Sequence, residues 1–238
     1  MPEPILNVDD LVTGYGRQPV LHGLSLSVLE GEALGLIGPN GHGKTTLFRT
    51  VSGLNRAWSG QIRFMGEDIT GLSAAQIAER GLVHVPQGNR LFPQMSVEDC
   101  LDLGAFSPAK RDNGAATRDR VFAIFPRLAE RRKQRCRTLS GGERQMVAIG
   151  CGLMGQPKLL ILDEPTLGLS PRLKGELRDA IGAIIETGVQ VLIVEQDPEF
   201  LRRLTTRQVY IEEGRVREDF DAGSLEHDKM MEMYFGLR

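Results

Sequence analysis

Cysteine is scarce in this sequence, aromatics are few, and neither sign of charge dominates. The three cysteines, Cys100, Cys136 and Cys151, have no Cys-x-x-Cys or other metal-ligand spacing. An odd, scattered set of this kind gives no disulfide framework and reads as small apolar or surface residues of a chain kept in a reducing cytosol. Aromatic residues make up 5% of the chain, and 29 Lys plus Arg against 31 Asp plus Glu leave a formal net charge of -2. That balance gives no electrostatic footprint for nucleic acid or an anionic membrane. The apolar runs, such as 159–162 and the one within 189–194, are strand-sized, far short of the roughly 20 residues that cross a bilayer. Residues 1–10 have neither a basic flank nor an apolar stretch of signal-peptide length. The expectation is a cytoplasmic chain whose membrane role, if it has one, comes through a partner.

What is present is an alternation of strand and helix signals over 238 residues, enough for one or two cores. Residues 5–8 and 24–28 alternate as half-buried strands, and 33–37 is an apolar run compatible with a fully buried one. A helix over 44–53, a strand over 61–65, a short helix over 74–80 and a buried strand over 82–85 follow. Between residues 89 and 157 strand runs are absent. Helical spacing marks 97–103, 118–125 and 143–154, and the small, polar stretch 107–117 reads as a loop. Alternation then resumes with a strand over 159–162, a helix from Pro171, a strand over 189–194, a helix from Pro198 and a strand over 208–212. Ser170-Pro171 is a good cap and first-position pair, and Leu173, Leu177, Ile181 and Ile184 line one helix face until Gly188. The pattern predicts one α/β domain, with a core of residues 1–88 and 157–238 and an all-helical insertion of 89–156.

Three segments carry chemistry. Gly38-Pro39-Asn40-Gly41-His42-Gly43-Lys44-Thr45 matches the phosphate loop G-x-x-x-x-G-K-[ST] in full, after a predicted strand and opening a predicted helix. Its glycines let backbone N–H groups wrap phosphates, Lys44 puts a cation on the β/γ oxygens, and the Thr45 hydroxyl suits magnesium. His42 fills a variable position and reads as solvent-facing. The strand 159–162 ends in Asp163-Glu164, which delivers one carboxylate beside the metal and the next to a water in line with the γ-phosphate. Finally, Leu139-Ser140-Gly141-Gly142-Glu143-Arg144-Gln145 opens a helix with two adjacent glycines, a second phosphate grip. One nucleotide does not need both grips.

Together these parts resemble an ABC-type ATPase over nearly the whole chain. The resemblance implies a P-loop nucleotide-binding core of mixed sheet plus an antiparallel β part, with the inserted helical subdomain carrying residues 139–145 as the family signature. It places ATP against Tyr15, Gly38, Asn40, Gly41, Gly43, Lys44, Thr45 and Thr46, with Mg2+ held by Thr45, Gln87 and Asp163. Glu164, Gln87 and Gln196 would serve catalysis, Gln87 lying in the family's mobile glutamine segment and Gln196 where many relatives have histidine. In that family two domains pair head to tail, so Ser140, Gly141 and Gly142 would grip the ATP of a second ABC ATPase subunit. Leu167-Gly168-Leu169-Ser170 is similar to the loop through which the two domains report on each other.

The Val194-Glu195-Gln196 run, Phe125-Pro126-Arg127-Leu128 and Tyr234-Phe235-Gly236 are similar to the importer branch serving branched-chain (hydrophobic) amino acids. In that branch two ATPase subunits, usually different, join two membrane permease subunits on the inner face of the cell membrane, with an extracytoplasmic solute-binding protein outside. Close relatives carry urea, amides or aromatic acids. Rival readings are an ABC ATPase acting on DNA or ribosomes, which usually needs a second ATPase domain or coiled arms, an exporter, and a hydrolysis-poor ATP-gated clamp. The basic run Arg127, Arg131, Arg132, Lys133, Arg135 and Arg137 reads as a solvated helix face. Met230, Met231, Met233, Tyr234 and Phe235 read as a packed terminal helix.

Overall fold

The computed structural model describes residues 4–88 and 90–224. It has two compact units, one from Met1–Ile77 with Gln190–Arg238 and the other from Ala78–Val189.

The first unit opens with two long antiparallel strands, β1 (Pro4–Tyr15) and β2 (Gln18–Leu29), in the register Val8↔Leu26. Both outrun the stretches that the sequence alternation marks. The reason lies at Asp9-Asp10, where β1 slips register between Val8 and Leu11 and Asp10 takes φ 47. A bulge of this kind lets a strand continue while its in–out alternation is interrupted. Next come β3 (Ala33–Ile37), buried at every position, α1 (Lys44–Val51), β4 (Ser59–Phe64), β5 (Glu67–Asp68) and α2 (Ala74–Glu79). The order β2-β1-β4-β5 is an antiparallel sheet, with Leu6, Val8, Leu24, Val28, Ile62 and Phe64 buried.

The second unit holds β6 (Leu82–Val85), α3 (Val97–Gly104), α4 (Pro108–Asp112), α5 (Gly114–Ile124), α6 (Pro126–Glu130), a 3-10 turn (Cys136–Thr138), α7 (Gly141–Met154), β7 (Leu159–Asp163) and α8 (Pro171–Glu186). β6 and β7 pair in parallel from Leu82↔Leu159 to Val85↔Leu162. α7 is the hub of the helices. A Cβ on Gly150 would stand 2.7 Å from Leu101 Cδ2 on α3 and 3.0 Å from Val121 on α5, so glycine lets these side chains pack directly against the α7 backbone.

The stretch 107–117, expected as a loop, instead forms α4 and the start of α5. Ser107-Pro108 supplies a start with proline at the first helical position. The decisive partner is distant. The Gln156 amide donates to Lys110 O and to Thr117 Oγ1, both at 3.3 Å. The cysteines, scattered in sequence, also meet here. Cys136 Sγ lies 3.3 Å from Cys100 Sγ, and the Cys151 thiol donates to Cys100 O at 3.1 Å. Burial, with the neighbouring thiol, pushes the Cys136 pKa up to about 12, and burial likewise raises that of Cys151.

The chain returns to the first unit as β8 (Gln190–Val194), α9 (Pro198–Arg202), β9 (Arg207–Glu212) and β10 (Arg215–Asp221). β3 pairs in parallel with β8 through Ala33↔Val191 and with β9 through Leu34↔Arg207, while β10 pairs antiparallel with β9. The sequence gives no sign of β10, which is exposed or half-exposed throughout and so carries almost no apolar alternation. The methionine cluster at 230–235 lies outside the described residues. Among the described residues no helix is long and apolar enough to cross a membrane.

Candidate functional site

In the first unit, β3 ends in the phosphate loop and α1 begins at its last turn. Glycine is obligatory at both ends of the loop. Gly38 has φ 142, and a Cβ there would sit 2.0 Å from Ile211 O. Gly43 has φ 104, with Leu21 Cδ2 at 2.6 Å from the corresponding point. No acidic residue occupies the first turn of α1, and its N-cap glycine offers no side chain to the end amides. Those amides and the positive end of the helix dipole thus suit an anion. Lys44, 5% exposed, donates to Gly38 O at 2.6 Å and Pro39 O at 2.8 Å, which holds its ammonium across the loop. Asn40 and Gly41 are exposed at the apex, and Thr45 is exposed beside buried Thr46. Thr46 Oγ1 lies 3.5 Å from the Tyr15 hydroxyl, so the half-exposed Tyr15 stands next to the start of α1.

His42 is not simply solvent-facing. Its Nδ1 accepts the Glu213 N–H at 3.1 Å, and its carbonyl accepts the Gly214 N–H at 3.1 Å. The β9–β10 turn is thereby fastened to the phosphate loop. Gly214 in turn accepts the His22 N–H at 3.1 Å, and a Cβ on it would lie 1.9 Å from Val20 O. No local sequence signal announces this support, because the bonded partners lie some 170 residues apart. Gln196 follows β8, exposed, its N–H donating to Glu195 Oε2 at 3.3 Å.

In the second unit, β7 is buried along its length and delivers Asp163, 2% exposed, at its end. Glu164 takes φ 48, a left-handed conformation that costs a non-glycine residue about 1 kcal/mol. Such strain is kept where a side chain must be aimed. The Gln87 amide donates to Glu164 Oε2 at 3.1 Å, so two of the three expected catalytic residues meet directly. Leu167 is exposed, Gly168 has φ 74, and Ser170 caps α8 by accepting the Leu173 N–H at 3.5 Å.

The start of α7 is a capping box. Ser140 Oγ accepts the Glu143 N–H at 3.3 Å, and Glu143 Oε2 accepts the Ser140 N–H at 2.8 Å. Ser140 and Gly141 are exposed, while Gly142 is buried against α8, where a Cβ would stand 2.8 Å from Leu173 Cδ1. The basic run is not a helix face, since α6 stops at Glu130. Three of its members are tied down: Arg127 to Glu176 at 2.9 Å, Arg131 to Glu143 at 2.8 Å and Arg132 to Glu98 at 2.7 Å. Burial pushes the Glu143 carboxyl up, but the Ser140 N–H and hydroxyl, with the Arg131 and Arg127 charges, outweigh it and hold the pKa below the ordinary carboxylate value.

A family model described as ABC transporter matches residues 21–167. The chain is 42% identical to the high-affinity branched-chain amino acid transport ATP-binding protein BraG of Pseudomonas aeruginosa, over 98% of this chain and 100% of that protein. It is 31% identical to the probable branched-chain amino acid transport ATP-binding protein LivF of Archaeoglobus fulgidus, over 98% and 99% of the two. Among solved structures, MJ1267, an ATP-binding cassette of an ABC transporter, superposes with a TM-score of 0.87 at 25% identity, over 98% of this chain and 99% of that one. The same cassette has been solved in an ADP conformation.

Proposed function

We propose that this chain, which belongs to the ABC transporter family and is one of its nucleotide-binding ATPases, is the ATP-hydrolysing subunit of an importer for branched-chain amino acids. The observation that carries the solute class is the 42% identity to BraG across the length of both chains. Nothing in an ATPase touches the solute, so this likeness outweighs any single residue.

The residues suggest the following division of work. The phosphate loop holds this chain's own ATP, with Lys44 on the outer phosphates and Tyr15 on the base. Ser140, Gly141 and Gly142 grip the ATP of a second ABC ATPase subunit. The donor set suits magnesium: the hydroxyl of Thr45, the carboxylate of Asp163 and the amide oxygen of Gln87 are all hard oxygen ligands. Among the described residues no group of three or more His, Cys, Asp or Glu could hold a metal by itself. Magnesium commonly relies on one or two protein side chains plus substrate phosphates. Magnesium, when bound, neutralises charge on the β/γ oxygens. Glu164 orients and deprotonates the attacking water, and Gln87, already bonded to it, keeps the carboxylate pointed. Closure on ATP and release after hydrolysis would be passed to two permease subunits, fed from outside by a solute-binding protein, with this chain on the inner face of the membrane.

Uptake of labelled leucine, isoleucine and valine by cells lacking and regaining this chain tests the solute. Loss and recovery of leucine uptake is expected. Urea, amide or aromatic-acid uptake that follows the chain while leucine uptake does not would reject the assignment. Glu164→Gln should retain ATP binding and lower hydrolysis by about 100-fold or more.

A further inference from the structure

We infer that Arg131 is a positioning residue for the signature segment, acting through Glu143 to set the phosphate-gripping start of α7 before any partner arrives. This rests on the reading that Ser140, Gly141 and Gly142 grip a nucleotide held by another chain. A grip of that kind has no nucleotide of its own to organise it, so its shape must come from the protein, and preorganised donors hold a phosphate better than ones ordered on contact.

The geometry supplies that order through one carboxylate. Glu143 Oε1 takes the Arg131 guanidinium at 2.8 Å, and its Oε2 takes the Ser140 N–H at 2.8 Å. The Ser140 hydroxyl accepts the Glu143 N–H and also bonds the Glu143 carboxylate, so both groups of Ser140 are set by this one side chain. Glu143 has 10% of its side chain exposed, so a cation close by adds to the Ser140 hydrogen bonds in favouring its charged form. Arg131 provides one from firm ground. Its N–H donates to Leu128 O at 3.1 Å, and its carbonyl accepts the Gln134 N–H at 2.7 Å. Its second ion pair, to Glu130 at 3.0 Å, involves a carboxylate that is 70% exposed, and a pair in such a setting contributes little. The stronger tie is therefore inward, to the signature.

Hydrogen exchange of the full chain tests the relay, read at the Ser140 and Glu143 amides with residues 44–51 as internal reference. Arg131→Ala should speed exchange at both amides about tenfold, while Arg131→Lys, which keeps the charge, stays within about threefold of the unmodified chain. In a Glu143→Gln background, Arg131→Ala should add nothing. In the intact transporter, purified through a tag on this chain, Arg131→Ala should lower kcat for ATP about tenfold with KM within twofold. A merely structural role would shift the reference amides as well, or lower kcat and raise KM together. Unchanged exchange in Arg131→Ala, or faster exchange with an unchanged kcat, overturns the inference. Ser140→Ala separates this from the underlying reading. If it leaves the transporter's kcat untouched, the signature does not grip a nucleotide. If it lowers kcat while Arg131→Ala changes nothing, the relay alone is wrong.

Discussion

Gly214 is the best place to perturb the phosphate loop from outside it. The residue sits in the β9–β10 turn with φ 68, donates its N–H to His42 O, and leaves no room for a Cβ, which would lie 1.9 Å from Val20 O and 3.0 Å from Leu21 Cα. Gly214→Ala thus meets two costs. The left-handed backbone costs an alanine about 1 to 2 kcal/mol. The clash is with backbone, which no rotamer change relieves, and overpacking of this sort costs about 1 to 3 kcal/mol more. Gly31 separates the two terms, because it has φ 78 and nothing within 4 Å of its would-be Cβ. Urea unfolding should show Gly31→Ala down by about 1 to 2 kcal/mol and Gly214→Ala down by about 2 to 5 kcal/mol. Since the turn must shift to admit the methyl, the bond to His42 O is lost and ATP affinity, measured by calorimetry, should fall about tenfold in Gly214→Ala. Gly31→Ala should bind ATP normally. Equal destabilisation of the two variants, or full ATP affinity in Gly214→Ala, would refute the claim that this turn braces the loop.

Three further outcomes follow from the same geometry. The raised pKa values of Cys136, about 12, and Cys151 keep those thiols protonated, so iodoacetamide at pH 8 should modify them orders of magnitude more slowly in the folded chain than in urea. Mass spectrometry reads this directly. Gln196→His should raise single-turnover hydrolysis about tenfold, because imidazole can carry a proton or a charge where an amide only donates; an unchanged rate removes the idea that glutamine slows this site. The Glu143 pKa is lowered from 4.5, so the ionised form contributes stability that is present above pH about 4.5 and lost as pH falls through the folded value. Melting temperatures of the unmodified chain and Glu143→Gln should therefore differ most at neutral pH and converge in acid, and a gap independent of pH would count against the charge pairing.

The parts of this protein that were legible in its sequence are those whose causes lie within a few residues. The phosphate loop could be read because Gly38 and Gly43 answer to local backbone angles. β7 could be read because every position is buried, and α8 because Ser170-Pro171 and an apolar face of Leu177, Ile181 and Ile184 declare its start and its inner side. What escaped depends on distant partners. α4 forms in a stretch of loop-like composition because Gln156 reaches back to it, and β10 has no pattern of its own to display, only pairing with β9. The cysteines look unrelated until α3 and α7 bring them into one core.

The same division runs through the site. Lys44, Thr45, Asp163, Glu164 and Ser140 sit in contiguous motifs, since their chemistry demands fixed spacing along one turn. His42 and Gly214 hold the phosphate loop through bonds that no window of sequence contains, and Arg131 reaches Glu143 from outside the signature segment. A supporting side chain such as His42 or Arg131 is free to vary in type, provided that the bond it makes is replaced, whereas Gly214 supports through its backbone and has no room for a Cβ. Substitutions in the supports should therefore scale rates and affinities by roughly tenfold, the worth of one hydrogen bond or ion pair. Loss of Glu164 instead removes a group that acts on the reacting water, and the two classes of variant should separate cleanly in kcat.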